Sequence, residues 1–351
     1  MEAIPNGIVK TLCVPGVPML ALPCAERPRL FIPARSGLDR WRASSLYPAS
    51  RTTARVYRLF LRLRATIWPG DISILPVEAS LLSAFVAGAV PGVEIAAIIV
   101  GTAGPGRKFT VALWDAAGTL VGFLKYGETV VARSRIRNEF KMLGEIPEGV
   151  GPRAIKFGPL GEGLALLATP IEGQHLPACL PPNRLILPFQ KSLQEHAPPV
   201  SVDRHPWIRA LVEGTDGEVA PLLKWVEVLS RRTWGVVFQH GDFAPWNLLG
   251  GRDGSLRAVD WEHGTTDGFP HTDLAYYIIQ VGALICRWKP ERALGWGVRY
   301  LSSQPALGLS PAEAEALVRL TAWHAYQQGL EDQHPPDLPI QSWRCALWGT
   351  V

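Results

Sequence analysis

His240-Gly241-Asp242-Phe243-Ala244-Pro245-Trp246-Asn247, followed thirteen residues on by Asp260 in Val259-Asp260-Trp261-Glu262, is the stretch from which the fold can be read. Two carboxylates and an amide at these intervals suit phosphoryl transfer from a nucleotide. One acidic group meets the incoming hydroxyl, while an Asn and a second Asp hold magnesium against the phosphates. The flanks supply local structure. Val236-Val237-Phe238 is a β-branched and aromatic run that feeds His240 as a strand into a loop. Past Asn247, Leu248-Leu249 leads into the turn Gly250-Gly251-Arg252-Asp253-Gly254-Ser255, and Leu256-Arg257-Ala258-Val259 reads as a strand delivering Asp260 at its end. A hairpin would gather Asp242, Asn247 and Asp260 at one mouth. The bland alternative makes Asp242 a turn residue and Asp260 a strand-end cap, because three residue types at fixed offsets are weak alone.

A nucleotide site of this kind also needs, upstream and in order, a glycine-rich loop, a strand Lys and a helix Glu. Ile95-Ala96-Ala97-Ile98-Ile99-Val100 reads as a strand, and Gly101-Thr102-Ala103-Gly104-Pro105-Gly106 as the loop. Phe109-Thr110-Val111-Ala112-Leu113-Trp114 forms a second strand and Asp115-Ala116-Ala117-Gly118 its turn; Leu120-Val121-Gly122-Phe123-Leu124-Lys125 is a third, ending on Lys125. A helix follows from about Thr129 to Leu143, with Ala132, Ile136, Phe140 and Leu143 as one apolar stripe and Glu139 at its border. Glu139 can face inward to Lys125, or stand solvated beside Arg135 and Arg137.

His-Gly-Asp, four residues, Asn, then Asp-Trp-Glu resembles the aminoglycoside phosphotransferase and choline kinase branch of the protein kinase-like fold, over roughly residues 95–345. The Asp242 to Asn247 interval equals that of the kinase catalytic loop. The resemblance implies an α+β, bilobal fold with a small antiparallel-sheet N-lobe and a mainly helical C-lobe. The expected domains are an N-terminal extension over 1–90, an N-lobe over 91–168 and a C-lobe over 169–351. It further implies ATP and Mg as cofactors: Lys125 on the α- and β-phosphates, Glu139 holding Lys125, and Asn247 and Asp260 on the metal. Adenine would meet the backbone carbonyl of Thr169 and the backbone amide of Ile171, in Leu164-Ala165-Leu166-Leu167-Ala168-Thr169-Pro170-Ile171-Glu172-Gly173. Asp273 opens the apolar run Leu274, Tyr277, Ile278, Val281, where a carboxylate suits a helix's first turn; by resemblance it also braces the catalytic loop. Two departures favour a small-molecule kinase over a protein kinase. Gly241 stands where that loop carries Arg, and Glu262 replaces a permissive Gly. About ten residues then separate Glu262 from the helix near Thr272, too few for a peptide-cradling segment.

Composition sets bounds. The 351 residues are 47% hydrophobic and 19% charged, enough for a substantial core and unlike disorder. Five Cys at 13, 24, 179, 286 and 345 show no C-x-x-C, which argues against a zinc site and fits a reducing, cytoplasmic setting. His175, His196 and His205 lack ligand-like spacing. Met1 to Lys10 has no secretion-signal pattern, and Leu81–Val100 is broken by Gly88, Pro91, Gly92 and Glu94, so a membrane span is not expected. Basic and aromatic residues form no nucleic-acid-reading module. The net charge of +4 belongs to the front: residues 1–67 hold eleven Lys and Arg against three acids.

Within that front, the first 45 residues are rich in Pro and Gly and are expected to be irregular. Ser50 would cap a helix with Arg51, Arg55, Arg58 and Arg62 on one side and Val56, Leu59, Phe60, Leu63 and Ile67 on the other. Such a helix can lie on an anionic membrane surface or dock on a partner. The ordinary expectation is that it packs its apolar side on its own protein and solvates its Arg side.

The expected substrate is a small hydroxyl compound: a sugar, an amino sugar or an amino alcohol. Residues 174–230 carry six acids against five bases and 290–351 six against four, too balanced to line a pocket for a polycationic antibiotic. Trp225, Trp288, Trp296, Trp323, Tyr326 and Trp343 could stack on a sugar or quaternary amine, though core packing is the usual role. Ser310-Pro311-Ala312-Glu313 is a capping box that starts a helix. The alternative is a catalytically silent kinase-like module that binds a nucleotide or a partner.

Overall fold

Ile95–Val100 is apolar without alternation, and a computed structural model of the chain shows why: its sheet is buried on both faces. The structure describes residues 6–47, 52–67, 73–74, 76–90, 92–193, 197–215 and 220–349. Ser50 and Arg51, expected at the start of the basic helix, lie outside these, as does His196. The chain divides into two compact units, Met1–Phe140 with Pro152–Pro170, and Lys141–Gly151 with Ile171–Val351.

The first unit begins with α1 (Asn6–Thr11), β1 (Met19–Leu22), β2 (Leu30–Pro33), α2 (Gly37–Ser44), α3 (Thr52–Ile67) and α4 (Leu81–Val86). β3 (Val93–Val100), β4 (Phe109–Asp115) and β5 (Leu120–Gly127) follow, then α5 (Val130–Glu145), β6 (Ala154–Leu160) and β7 (Gly163–Ala168). All seven strands form one antiparallel sheet in the order β1-β2-β3-β4-β5-β7-β6. The expected antiparallel sheet in the N-terminal part of the chain is present. The expectation of an irregular front is corrected: β1 and β2 form a hairpin that extends the sheet, with Leu30 opposite Ile99 and Phe31 opposite Ile98.

Strand alternation sends Ala96, Ile98, Val111, Leu113, Leu124 and Tyr126 to one face, where Val9, Leu12, Leu82 and Phe85 cover them. Ile95, Ala97, Ala112 and Trp114 go to the other, against Ala43 of α2 and Ala65 of α3. The front of the chain therefore covers both faces of the sheet. Short strands separated by Pro and Gly carry too little periodicity to reveal this in advance.

The basic helix forms, but the other way round from expectation. Leu61 and Ala65 are buried, while Val56, Leu59, Phe60, Leu63 and Ile67 face outward. The inward Arg residues find partners on α2. The Arg62 guanidinium lies 3.8 Å over the Trp41 ring and donates to the Trp41 carbonyl at 3.4 Å; Arg58 donates to the Ser45 carbonyl at 3.4 Å. Arg40 of α2 answers by donating to the carbonyls of Ala65 and Thr66 at 2.7 and 3.0 Å, capping the end of α3. Helix-end carbonyls left unpaired would be costly, so guanidinium groups outcompete Leu and Phe for the inner face.

The second unit carries β8 (Gln174–His175), α6 (Ile186–Ser192), β9 (Ala197–Val200), α7 (Pro206–Glu213), α8 (Ala220–Leu229) and β10 (Trp234–Gln239). After these come β11 (Leu248–Gly250), β12 (Leu256–Ala258), β13 (Thr265–Gly268), α9 (Thr272–Gln280), α10 (Pro290–Ser302), α11 (Pro311–Glu331) and α12 (Pro339–Gly349). Helices dominate, as expected. The capping box at Ser310 and Glu313 forms in full. No helix of the described residues is long and apolar enough to cross a membrane.

Just before α9, His271 adopts a left-handed backbone (φ 68°), and its buried Nδ1 has no hydrogen-bond partner among the described residues. Burial, with the charge of Arg232 adding, lowers its pKa to about 4, and burial also lowers that of His205. Both rings are thus neutral in the folded chain at neutral pH, while the unfolded chain protonates near the ordinary value of 6.5. The unfolded state binds more protons as pH falls from about 6.5 to about 4, so stability drops across that window, His271 contributing up to about 3 kcal/mol. His271→Asn, which tolerates the left-handed backbone, is expected to flatten the dependence of Tm on pH there. Parallel Tm curves for variant and parent would refute this.

Candidate active site

In the first unit, strand alternation turns Leu124 and Tyr126 into the core, so Lys125 emerges on the opposite face. Its Nζ donates to both carboxylate oxygens of Glu139 at 2.6 Å each. Glu139 is buried, and α5 turns Ala132, Ile136, Glu139 and Leu143 inward at steps of four, three and four. The expected stripe is corrected at one position. Phe140 is an exposed ring stacked 4.3 Å from Phe157, and Glu139 takes the inward place because Lys125 neutralises it there.

The glycine-rich loop closes β3 onto β4. Gly101 N–H donates to the Lys108 carbonyl at 2.9 Å, and a Cβ on Gly101 would overlap that carbonyl. Thr129 accepts from Ala132 N–H at 3.1 Å as the cap of α5, while its hydroxyl donates to the Pro105 carbonyl, tying the loop to the helix start. At the end of β7, Thr169 N–H donates to the Arg153 carbonyl and its hydroxyl accepts from Arg153 N–H, both at 2.9 Å. Ile171 opens the next segment, half-buried.

In the second unit, the hairpin is narrower than expected. β11 and β12 pair with Leu248 opposite Ala258, but β10 belongs to a separate sheet, between β13 and β9. Val259 N–H donates to the Asn247 carbonyl at 2.9 Å, so the ladder continues one rung and Asp260 follows directly. The His240 ring joins the two parts. It packs 4.6 Å from Trp261; its Nδ1 accepts from Asp242 N–H at 3.2 Å, and its Nε2 faces the Val259 carbonyl at 2.9 Å. That pattern requires the proton on Nε2 and makes His240 a fixed brace.

Asp273 holds the loop from below, accepting from the N–H of His240 at 2.7 Å and of Gly241 at 3.0 Å. Burial pushes its carboxyl pKa up, against the pull of His240 and these two donors. Gly241 has φ 77°, and a Cβ there would overlap the His263 carbonyl. The absence of Arg at this position is therefore a backbone requirement as well as a functional departure.

Asp242 is held at both oxygens. Oδ2 accepts from Asn247 Nδ2 and Oδ1 from the Tyr276 hydroxyl, each at 2.9 Å. Asn247 Nδ2 also donates to the Asp242 backbone carbonyl at 2.9 Å, so both its hydrogens are committed and Oδ1 is its donor atom for a cation. Asp260 sits in a left-handed conformation (φ 70°, ψ 55°), uncommon outside glycine and a mark of constrained sites. One carboxylate oxygen of Asp260 and one of Glu262 lie within 4.8 Å of each other. Hard oxygen donors of this kind suit magnesium.

Sequence reading missed two groups. Glu262 entered only as a replacement for Gly, although its carboxylate lies beside that of Asp260. Tyr276 did not enter at all; its one signal was the three-residue step from Asp273, which puts both on one face of α9. Burial and the Asp242 charge raise the Tyr276 pKa well above the ordinary value, so the phenol remains a donor. If Asp242 acts on a substrate, Tyr276→Phe is expected to lower kcat about tenfold with little change in KM, since one hydrogen bond to a charged group is lost. A KM effect without a kcat effect would contradict this positioning role.

No family model matches the chain, and no curated protein matches it. Among solved structures it is similar to an ethanolamine kinase from Plasmodium vivax, at 13% identity over 72% of this chain and 81% of that one, with a TM-score of 0.42. It is also similar to a Haemophilus somnus protein provisionally assigned as a fructosamine-3-kinase, at 13% identity over 69% and 87% of the two chains, TM-score 0.39. These are likenesses at low identity; the pairing of Lys125 with Glu139 and of Asp242 with Asn247 stands on the distances given above.

Proposed function

We propose that the chain is an ATP- and magnesium-dependent phosphotransferase acting on a hydroxyl of a small metabolite, most simply a sugar, amino sugar or amino alcohol. The observation that carries this reading is Asp242, a carboxylate with both oxygens fixed, beside an Asn whose remaining donor atom is an oxygen. In this reading Asp242 orients the acceptor hydroxyl and receives its proton as the oxygen bonds to the γ-phosphorus and the nucleoside diphosphate leaves. Asn247 and Asp260 would hold magnesium, with Glu262 adjacent to Asp260. The ion, when bound, neutralises charge on the phosphates. Lys125, fixed by Glu139, would hold the α- and β-phosphates, and the backbone at Thr169 and Ile171 would meet the adenine. Such chemistry rests on positioning and electrostatics more than on covalent steps.

The test combines thermal shift with turnover. ATP with magnesium is expected to raise Tm more than ATP alone. A panel of sugars and amino alcohols, read by nucleoside-diphosphate release, is expected to yield at least one acceptor. A Tm rise that ignores magnesium, with no turnover across the panel, would replace this reading with a silent nucleotide-binding module.

A further inference from the structure

We infer that the outward face of α3 docks the protein on an anionic lipid bilayer. The helix is sixteen residues long, about 24 Å, and presents Val56, Leu59, Phe60, Leu63 and Ile67 at 66%, 50%, 58%, 46% and 79% exposure. At 100° per residue these five occupy a stripe about 100° wide. Exposed Arg55 and Arg64 stand about 90° to either side of it. Tyr57 lies at one border, half-exposed, its ring stacked on Phe60.

Five large apolar side chains on one exposed helix are more than a scattered surface residue explains. The opposite face is already engaged by α2 through Ala65, Arg58 and Arg62, so the helix cannot roll its stripe inward without breaking those contacts. What covers the stripe must be apolar at its centre and negative along both edges. Thr52–Ile67 contains four Arg and no acidic residue, so pairing with the same helix of a second copy would set Arg beside Arg. An anionic bilayer meets both demands at once: acyl chains take the stripe, and headgroup phosphates take Arg55 and Arg64. An aromatic pair at the boundary suits the same interface. The surplus of basic residues over positions 1–67 adds long-range attraction. None of this depends on the proposed reaction.

The experiment is vesicle flotation with the full chain. One set of vesicles is phosphatidylcholine alone; the other mixes it with phosphatidylglycerol. Wild type is expected to float with the mixed vesicles, less so as salt is raised. Phe60→Ser with Leu63→Ser removes two outward-facing apolar groups, with Tm measured alongside to confirm the fold, and is expected to weaken partitioning about a hundredfold. Arg55→Gln with Arg64→Gln is expected to weaken it about thirtyfold. Wild type remaining with the unbound fraction, equal binding to both vesicle types, or undiminished binding by the serine variant would each overturn the inference. So would a stable dimer in sedimentation that the serine variant dissolves.

Discussion

Asp260→Asn should give a protein that folds as the parent does and turns over at least about a thousandfold more slowly, near 4 kcal/mol in the barrier. The expectation rests on two separate properties of the site. Asp260 occupies a left-handed backbone, which Asn tolerates as well as Asp does, so the substitution adds no strain. It removes the negative charge of the carboxylate that, in the proposed reading, would hold magnesium with Asn247, beside the Glu262 carboxylate. Asp242→Ala should be equally severe for a different reason: it deletes the group that would receive the proton in the proposed reaction and leaves Asn247 and Tyr276 without their shared acceptor. Circular dichroism and Tm separate loss of fold from loss of chemistry. A fully folded Asp260→Asn variant with parental turnover would remove this residue from the mechanism.

Asp273→Ala acts on stability. The carboxylate accepts from two consecutive buried N–H groups, those of His240 and Gly241. With Ala, both donors lose their acceptor in an environment closed to water, costing about 3 kcal/mol in all. For a unit of this size that corresponds to a Tm lower by about 10 °C. Turnover should fall as well, because the N–H of Asp242 is held by the same His240 ring. An unchanged Tm would show that other groups or water satisfy those two amides.

Much of the candidate site was legible in residue types and intervals. Asp242 and Asn247 lie five residues apart on one loop, and Lys125 and Glu139 lie fourteen apart on a strand and the next helix. Such distances are short enough for local structure to fix the geometry. The Tyr276 contact crosses thirty-four residues, and nothing in local pattern marks that hydroxyl as the partner of Asp242. The stripe on α5 shows a finer limit. Glu139 and Phe140 are adjacent in sequence and differ only in which one turns inward, and the cation on β5 decides it.

By itself, the sequence determined the strands and helix over residues 95–143 and the pairings of Lys125 with Glu139 and of Asp242 with Asn247, because those depend on periodicity and turn chemistry over short spans. Only the tertiary structure decided that residues 19–33 extend the sheet and that α3 turns its Arg side inward. Periodicity tells which side chains share a face; it cannot say what that face meets. On α3 that was settled by open carbonyls and a Trp ring on α2, which attract guanidinium groups more strongly than they do Leu or Phe.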